Sequence, residues 1–344
     1  MTPEDGPRSR ASMRKVAERA DVAISSVSRV LSGHPDVSEQ MRARVLAAVA
    51  ELEYEPDFLA QSLRRGQTLS IGFVLGDISN PLLSDIVLGA ETELRKAGYS
   101  LLLMNSENDP ALDVRSIGFF ETRRVDGMLL STVGESAPEL LQTLRTVRAP
   151  VVLVDREVPE DIGASTVQND HASGMTAAVR HLIGLGHRRL ALIGGSRDTT
   201  PGRAREQALR DAVAEHPEPI EVSVLAGSFS PDHGEAATRT LLDGADPPTA
   251  IVCGSNQLLV GCLRVLNERS IAVGRDISIV TCDQVPASEL FKPRIASISR
   301  DPVELGRKSA ELLVHRLRDG AGVEKVVLPT EFIATDSCAP PPAR

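Results

Sequence analysis

Residues 16–33 read VAERADVAISSVSRVLSG, and their spacing decides how the first sixty residues fold. Val16, Ala17 and Ala20 share one face of a helix that Ser12 can cap. Val27, Val30 and Leu31 share one face of a second helix, running from Ile24 to Leu31. Only Asp21-Val22-Ala23 separates the two, and Gly33-His34-Pro35-Asp36 stops the second. Ser38, followed by Met41, caps a third helix in which Val45, Ala48, Val49 and Leu52 fall at helical spacing. Two short helices joined by a tight turn form the layout that lays its second helix in the DNA major groove. Ile24, Ser25, Ser26, Ser28, Arg29 and Ser32 face outward on that helix. A guanidinium such as Arg29 can donate twice to guanine, and small hydroxyls suit phosphates at close approach. Helix spacing alone fits equally well a three-helix bundle with a solvated serine face.

Charge is distributed unevenly around this segment. The 344-residue chain carries a net charge of −9, but residues 1–66 are neutral and the remainder supplies the whole deficit. Within residues 8–35 six basic side chains face two acidic ones. A local basic patch matters more to DNA than whole-chain charge. Hydrophobic content of 42% and charged content of 25% are those of a soluble globular chain, and the length suits two or three domains. No apolar run approaches a membrane span, and the polar N-terminus lacks a signal peptide, so a cytoplasmic location without membrane partners is expected. Cys253, Cys262, Cys282 and Cys338 are too scattered for a disulfide framework or zinc site, and the seven histidines show no ligand spacing. No metal or cofactor is expected.

Beyond the third helix, Glu55-Pro56-Asp57 breaks the pattern, and Phe58 to Arg64 has helical spacing but is too short to be stable alone. From Thr68 onward continuous apolar runs alternate with helical segments. They begin with Leu69–Leu75, Leu82–Gly98 and Ser100–Ser106, and end with Pro302–Arg318 and a strand over Val326–Phe332. Apolar runs of this kind are strands of parallel sheets covered on both faces, which predicts doubly wound α/β architecture. The length requires two sheets, with ligands bound at the carboxyl ends of their strands.

The stretches VAERADVAISSVSRVLSG and VSEQMRARVLAAVAELEYEPDFLAQSLRRG closely resemble the headpiece of the LacI (lactose-repressor) family of transcription regulators. The resemblance continues through IGFVLGDISNPLL, RRVDGMLL, VVLVDRE, HLIGLGHRRLALIGG, GRDISIVTCD and ELGRKSAELLVHRL, and covers nearly all of residues 12–335. It implies that Ile24, Ser25 and Arg29 read bases and that Ser26, Ser28 and Ser32 meet phosphates, with Ser12 also in the DNA-facing set. It implies a hinge helix that folds on DNA, where Leu63 wedges between base pairs and the small Ala60 lets two such helices approach. Two departures stand out. The family usually has Gly and a capping Ser where this chain has Asp21 and Ala23, and losing the cap costs about 1 kcal/mol.

The implied fold is a three-helix headpiece and hinge followed by two α/β subdomains like those of periplasmic sugar-binding proteins. The expected boundaries are a disordered tail over 1–11, the headpiece over 12–55, the hinge over 56–67 and the sensing domain over 68–336. Its first subdomain would take about 68–168 plus 298–325, its second about 169–297 plus 326–336, leaving a flexible tail over 337–344. Matched positions make Asp77, Ser79, Asp155, Arg156, Arg197, Thr199, Arg203, Phe229 and Asp283 candidate effector contacts, with Asp283 and Arg203 foremost. Leu82 and Leu83 replace frequent aromatics, and Asn256-Gln257 replaces a frequent Asn-Asp.

The expected partners are a near-palindromic double-stranded DNA operator, a sugar-like or purine-like effector, and a second copy of the chain. The proline-bearing tail has no heptads, so a dimer is expected rather than a tetramer. The alternative is a small-molecule binding protein without DNA function. An enzyme is the third class, but Gly194-Gly195-Ser196 fits neither a dinucleotide fingerprint nor a Walker motif.

Overall fold

A computed structural model describes residues 12–31, 34–54, 67–284 and 291–342. Ser32, the hinge including Ala60 and Leu63, and the N-terminal tail lie outside the described residues. The chain divides into two compact units, Met1–Thr68 and Leu69–Arg344.

In the first unit, α1 (Met13–Ala20), α2 (Ile24–Leu31) and α3 (Glu39–Glu51) bury Val16, Ala17, Ala20, Val27, Val30, Val45, Ala48 and Tyr54 together. Ser12 accepts the amide of Lys15, and Ser38 that of Met41, so both caps are made by the expected serines. Asp21 ends α1 with φ 49° and ψ 55°, in the left-handed region. That conformation explains the family's glycine at this position, and Asp is among the few other residues that tolerate it. Arg19 pairs with Glu51 at 2.6 Å and ties α1 to α3.

In the second unit, a first sheet has the strand order β11-β5-β4-β3-β1-β2, with every pairing parallel. Its strands are β1 (Ser70–Leu75), β2 (Ser100–Asn105), β3 (Gly127–Ser131), β4 (Val151–Val154), β5 (Ser165–Asn169) and β11 (Lys325–Leu328). The helices α4 (Pro81–Lys96), α5 (Pro110–Arg123), α6 (Pro138–Thr146) and α11 (Pro302–Asp319) cover it. The second sheet runs β12-β10-β9-β8-β6-β7, with β12 antiparallel to β10. It comprises β6 (Arg189–Gly194), β7 (Glu221–Ala226), β8 (Ala250–Cys253), β9 (Ser278–Cys282), β10 (Ala296–Ser299) and β12 (Glu331–Ile333). Its helices are α7 (His171–Gly184), α8 (Thr200–Ala214), α9 (Pro231–Leu242) and α10 (Asn256–Glu268). Both sheets place their first strand between their second and third, so each reverses winding direction at β1/β3 or β6/β8. Ligand sites form outside the carboxyl ends of strands at such a reversal.

Three expectations about boundaries need correction. The strand expected over Val326–Phe332 is two strands in different sheets, because Pro329 has no amide to continue a ladder. Val326 thus pairs with Val167 in the first sheet, and Ile298, expected in the first subdomain, pairs with Cys282 in the second sheet. The first part of the expected flexible tail, 337–339, is packed against the second sheet. Ser337 is fully buried, accepting the Ala296 amide at 2.8 Å and donating to the Ile279 carbonyl at 2.7 Å. Ala339 accepts from Ser278 at 3.0 Å and meets the His187 ring at 2.9 Å.

Candidate functional site

The exposed face of α2 presents Ile24, Ser25 and Arg29, with Ser26 and Ser28 half-buried behind them and Ser12 exposed at the start of α1. Ala23 sits where a capping side chain would be and contributes only its carbonyl, which accepts the Ser26 amide at 2.9 Å. The surface offers one guanidinium, several hydroxyls and one apolar side chain, and a helix of this kind fits the width of a major groove.

Between the two subdomains of the second unit lies a cleft whose empty space, its open mouth included, is about 610 Å³. Its wall is built from strand ends. Asp77 follows β1, Ser131 ends β3, and Asp155-Arg156 follow β4. Phe229 follows β7, Ser255 follows β8, Asp283 follows β9, and Arg300 follows β10. Leu82, Leu83 and Ile86 of α4 and Pro201 of α8 add an apolar side. Asp155 and Asp283 hold equivalent positions in the two sheets, both with left-handed backbones (φ 56° and 72°) that turn the chain sharply after the strand.

Arg300 binds these two carboxylates together. Its Nε donates to Asp283 at 2.6 Å and its Nη1 to Asp155, so one side chain on a crossover segment spans both subdomains. Burial alone would lower the Arg300 pKa, but Asp283 and Asp155 outweigh it and keep the guanidinium charged. Burial likewise pushes the Asp155 carboxyl up, and His171 at 2.9 Å and Arg300 reverse this, holding it well below the usual carboxylate range. The second oxygen of Asp283, Oδ2, is buried without a hydrogen-bond partner among the described residues. A buried acceptor of this kind can take a donor from a bound molecule or a water.

Of the nine expected effector contacts, Asp77, Asp155, Arg156, Phe229 and Asp283 line this cavity. The other four do not. Ser79 turns back to donate to Asp77 at 2.6 Å. Thr199 caps α8, donating to the Ser196 carbonyl and accepting the Gly202 amide. Arg197 pairs with Glu206 at 2.7 Å on the rim of an adjoining outer cleft. Arg203 points to Glu135, and the α8 arginine that lines the cavity is Arg205, two residues on. Two residues rotate the side chain by about 200°, to the opposite side of the helix. Arg205 donates to the Gly254 carbonyl at 2.6 Å and lies 3.7 Å from Asp283. Arg300 went unread as well, since only a charge after a short strand marks it in the sequence. Phe229 lies so close over Gly195 that a Cβ there would sit 2.0 Å from its ring, so the glycine is needed to seat this wall.

With this geometry in place, comparison with known proteins is informative. The pattern of "Bacterial regulatory proteins, lacI family" matches residues 12–57, and that of the "Periplasmic binding protein-like domain" matches residues 179–338. The ribose operon repressor of Escherichia coli (strain K12) is 34% identical over 313 residues, covering 89% of this chain and 93% of that protein. The crystal structure of the lac repressor dimer bound to operator and the anti-inducer ONPF superposes with a TM-score of 0.85 at 24% identity, over 96% of this chain and 100% of that one. A LacI-family transcriptional regulator from Enterococcus faecium with bound ribose gives 0.69 at 28% identity, over 79% of this chain and 99% of the other.

Proposed function

The chain belongs to the LacI family of bacterial regulatory proteins, and from that premise we infer that it is a DNA-binding transcriptional repressor controlled by a small polar effector. The headpiece reads a near-palindromic operator, and the cavity between the two subdomains binds the effector. The observation that carries this reading is the coexistence in one chain of a solvent-facing helix bearing Arg29 and Ser25 with a cavity bearing an unsatisfied carboxylate oxygen.

We take the effector to be a neutral polyol, a sugar in ring form. Six charged side chains line the cavity, three of each sign, so it favours no net charge in its ligand. Asp283 Oδ2 calls for a donor such as a ring hydroxyl, while Phe229, Leu82 and Leu83 face the less polar side of the ring. Phe229 is the lone aromatic on this wall, which serves a sugar better than a purine needing stacking on both faces. The ribose held by the Enterococcus faecium regulator fits this chemistry. Five of the expected contacts, Asp77, Asp155, Arg156, Phe229 and Asp283, are proposed as effector contacts together with Arg205.

The protein works as a homodimer in the cytoplasm, where its operator is. Leu102 and Leu103 are exposed on the edge strand β2, and Leu88 is exposed on the neighbouring α4. Edges of this kind are covered in stable proteins, here by a second copy. No described helix is long and apolar enough to cross a membrane. Calorimetry with D-ribose, other pentoses, hexoses, disaccharides and purines tests the effector class. One polyol should bind, and Arg205→Ala or Asp283→Ala should abolish that binding. Purine binding without polyol binding would refute the effector assignment.

A further inference from the structure

Glu135 lies in the loop between β3 and α6 of the first subdomain, yet its partners lie mainly in the second. Its side chain is 2% exposed. Oε1 accepts the Thr200 amide at 2.5 Å, and Oε2 accepts the Thr200 hydroxyl at 2.7 Å and Arg203 Nη2 at 2.8 Å. The Glu135 amide in turn donates to the Asp198 carbonyl at 3.0 Å. Thr200 is the first residue of α8, whose own first turn contains no acidic residue. The helix therefore receives the negative charge that complements its N-terminal dipole from the opposite side of the cleft.

We propose that Glu135 is a positioning residue that clamps α8 to the first subdomain and so couples effector-site geometry to closure of the cleft. This rests on the reading of the cavity as the effector site. On one side Glu135 stands 3.6 Å from Arg156, which lines the cavity. On the other it fixes the first turn of α8, the helix that carries Pro201 and Arg205 into the same cavity. A ligand that draws on Arg156 or Arg205 pulls on the same carboxylate from either side. Removing the carboxylate frees two buried donors at the start of α8, and a buried donor without a partner destabilises the closed arrangement. Arg300 bridges the subdomains at the crossover segment, so Glu135 makes a second bridge independent of it.

Amide hydrogen exchange of the full-length, ligand-free protein tests the clamp, because the Thr200 amide is itself one of its bonds. Glu135→Ala should speed exchange across 198–205 by about tenfold or more while leaving peptides of β1 and β6 unchanged. Glu135→Gln keeps an acceptor for the amide and should fall between the two. Unchanged exchange across 198–205 overturns the proposal. If Glu135→Ala loosens the whole second unit, Arg203→Ala is the deciding variant, since its side chain is 45% exposed and truncation leaves no buried cavity. Local acceleration there supports the clamp, and none overturns it. A titration with D-ribose adds a readout that a merely structural role would not move. Glu135→Gln should weaken binding by about tenfold at an unchanged melting temperature. If neither D-ribose nor any other polyol of the panel binds the unmodified protein, the effector assignment fails, and the exchange result still decides the clamp.

Discussion

Asp113 illustrates how one side chain sets a pH response. Its Oδ2 accepts the Val133 amide at 2.8 Å, its Oδ1 is buried without a partner, and burial pushes its carboxyl up to about 6. An acid whose folded pKa exceeds its unfolded value of about 3.9 is neutral in both states at low pH, and it costs stability as pH rises towards the folded value. Asp113→Asn removes the charge and retains an acceptor for Val133. It should raise the unfolding free energy by roughly 1–3 kcal/mol at pH 7 and leave it unchanged near pH 3. Urea titrations at the two pH values check this, and an equal effect at both would contradict it. Arg300→Met should cost about 3–5 kcal/mol at pH 7, because Asp155 would lose its buried guanidinium and Asp283 the nearer of its two. Asp155 has a depressed pKa in the fold, so its contribution is present above about pH 4 and is lost as pH falls further. The deficit of the Arg300 variant should therefore shrink in acid, as melting curves across pH 3–7 would show. At this scale the sequence was partly legible. Asp155 and Asp283 each follow an apolar run and read as strand-end carboxylates, whereas choosing Arg205 over Arg203 needs the phase of α8, which sequence alone leaves open.

Among the elements, α2 carries the departures that bear most on DNA. Ala23 supplies no side-chain acceptor at its start, and Asp21 spends its left-handed turn without glycine's freedom. Ala23→Ser should stabilise the headpiece by about 1 kcal/mol, seen as a higher melting temperature of its helical signal, and should tighten DNA binding. No shift in either quantity would show that the carbonyl-only start is sufficient. The helices of the headpiece were legible because each has an apolar stripe of period 3.6 bounded by serines and turn residues. β5 escaped notice for the opposite reason. Its sequence Ser165-Thr166-Val167-Gln168-Asn169 has one large apolar side chain, although four of its five residues are buried. Gln168 donates to the Arg156 carbonyl at 3.0 Å, and the Asn169 amide donates to Asp155 at the same distance. A buried strand made mostly of polar residues carries no apolar alternation for a sequence reading to find.

For the whole molecule, the central claim is that a DNA-reading headpiece serves an effector-sensing α/β body in a dimer. The two-sheet architecture was visible from alternating runs. The three crossings, expected near 168, 297 and 325, fall one to three residues later, just after β5, β10 and β11, because short strands do not show in sequence which sheet they join. Leu102→Asp with Leu103→Asp should convert a dimer to a monomer in sedimentation and abolish operator binding, while melting changes little, because both side chains are exposed within one chain. A dimeric mass for that variant would move the interface elsewhere. The most direct test is selection of DNA from a random-sequence duplex library by the purified protein, alone and with each sugar of the panel. The account predicts enrichment of an inverted repeat in at least one condition, with base preference relaxed by Arg29→Ala by about 1–3 kcal/mol at one position of each half-site. Retained pools with no enriched repeat in every condition would contradict it.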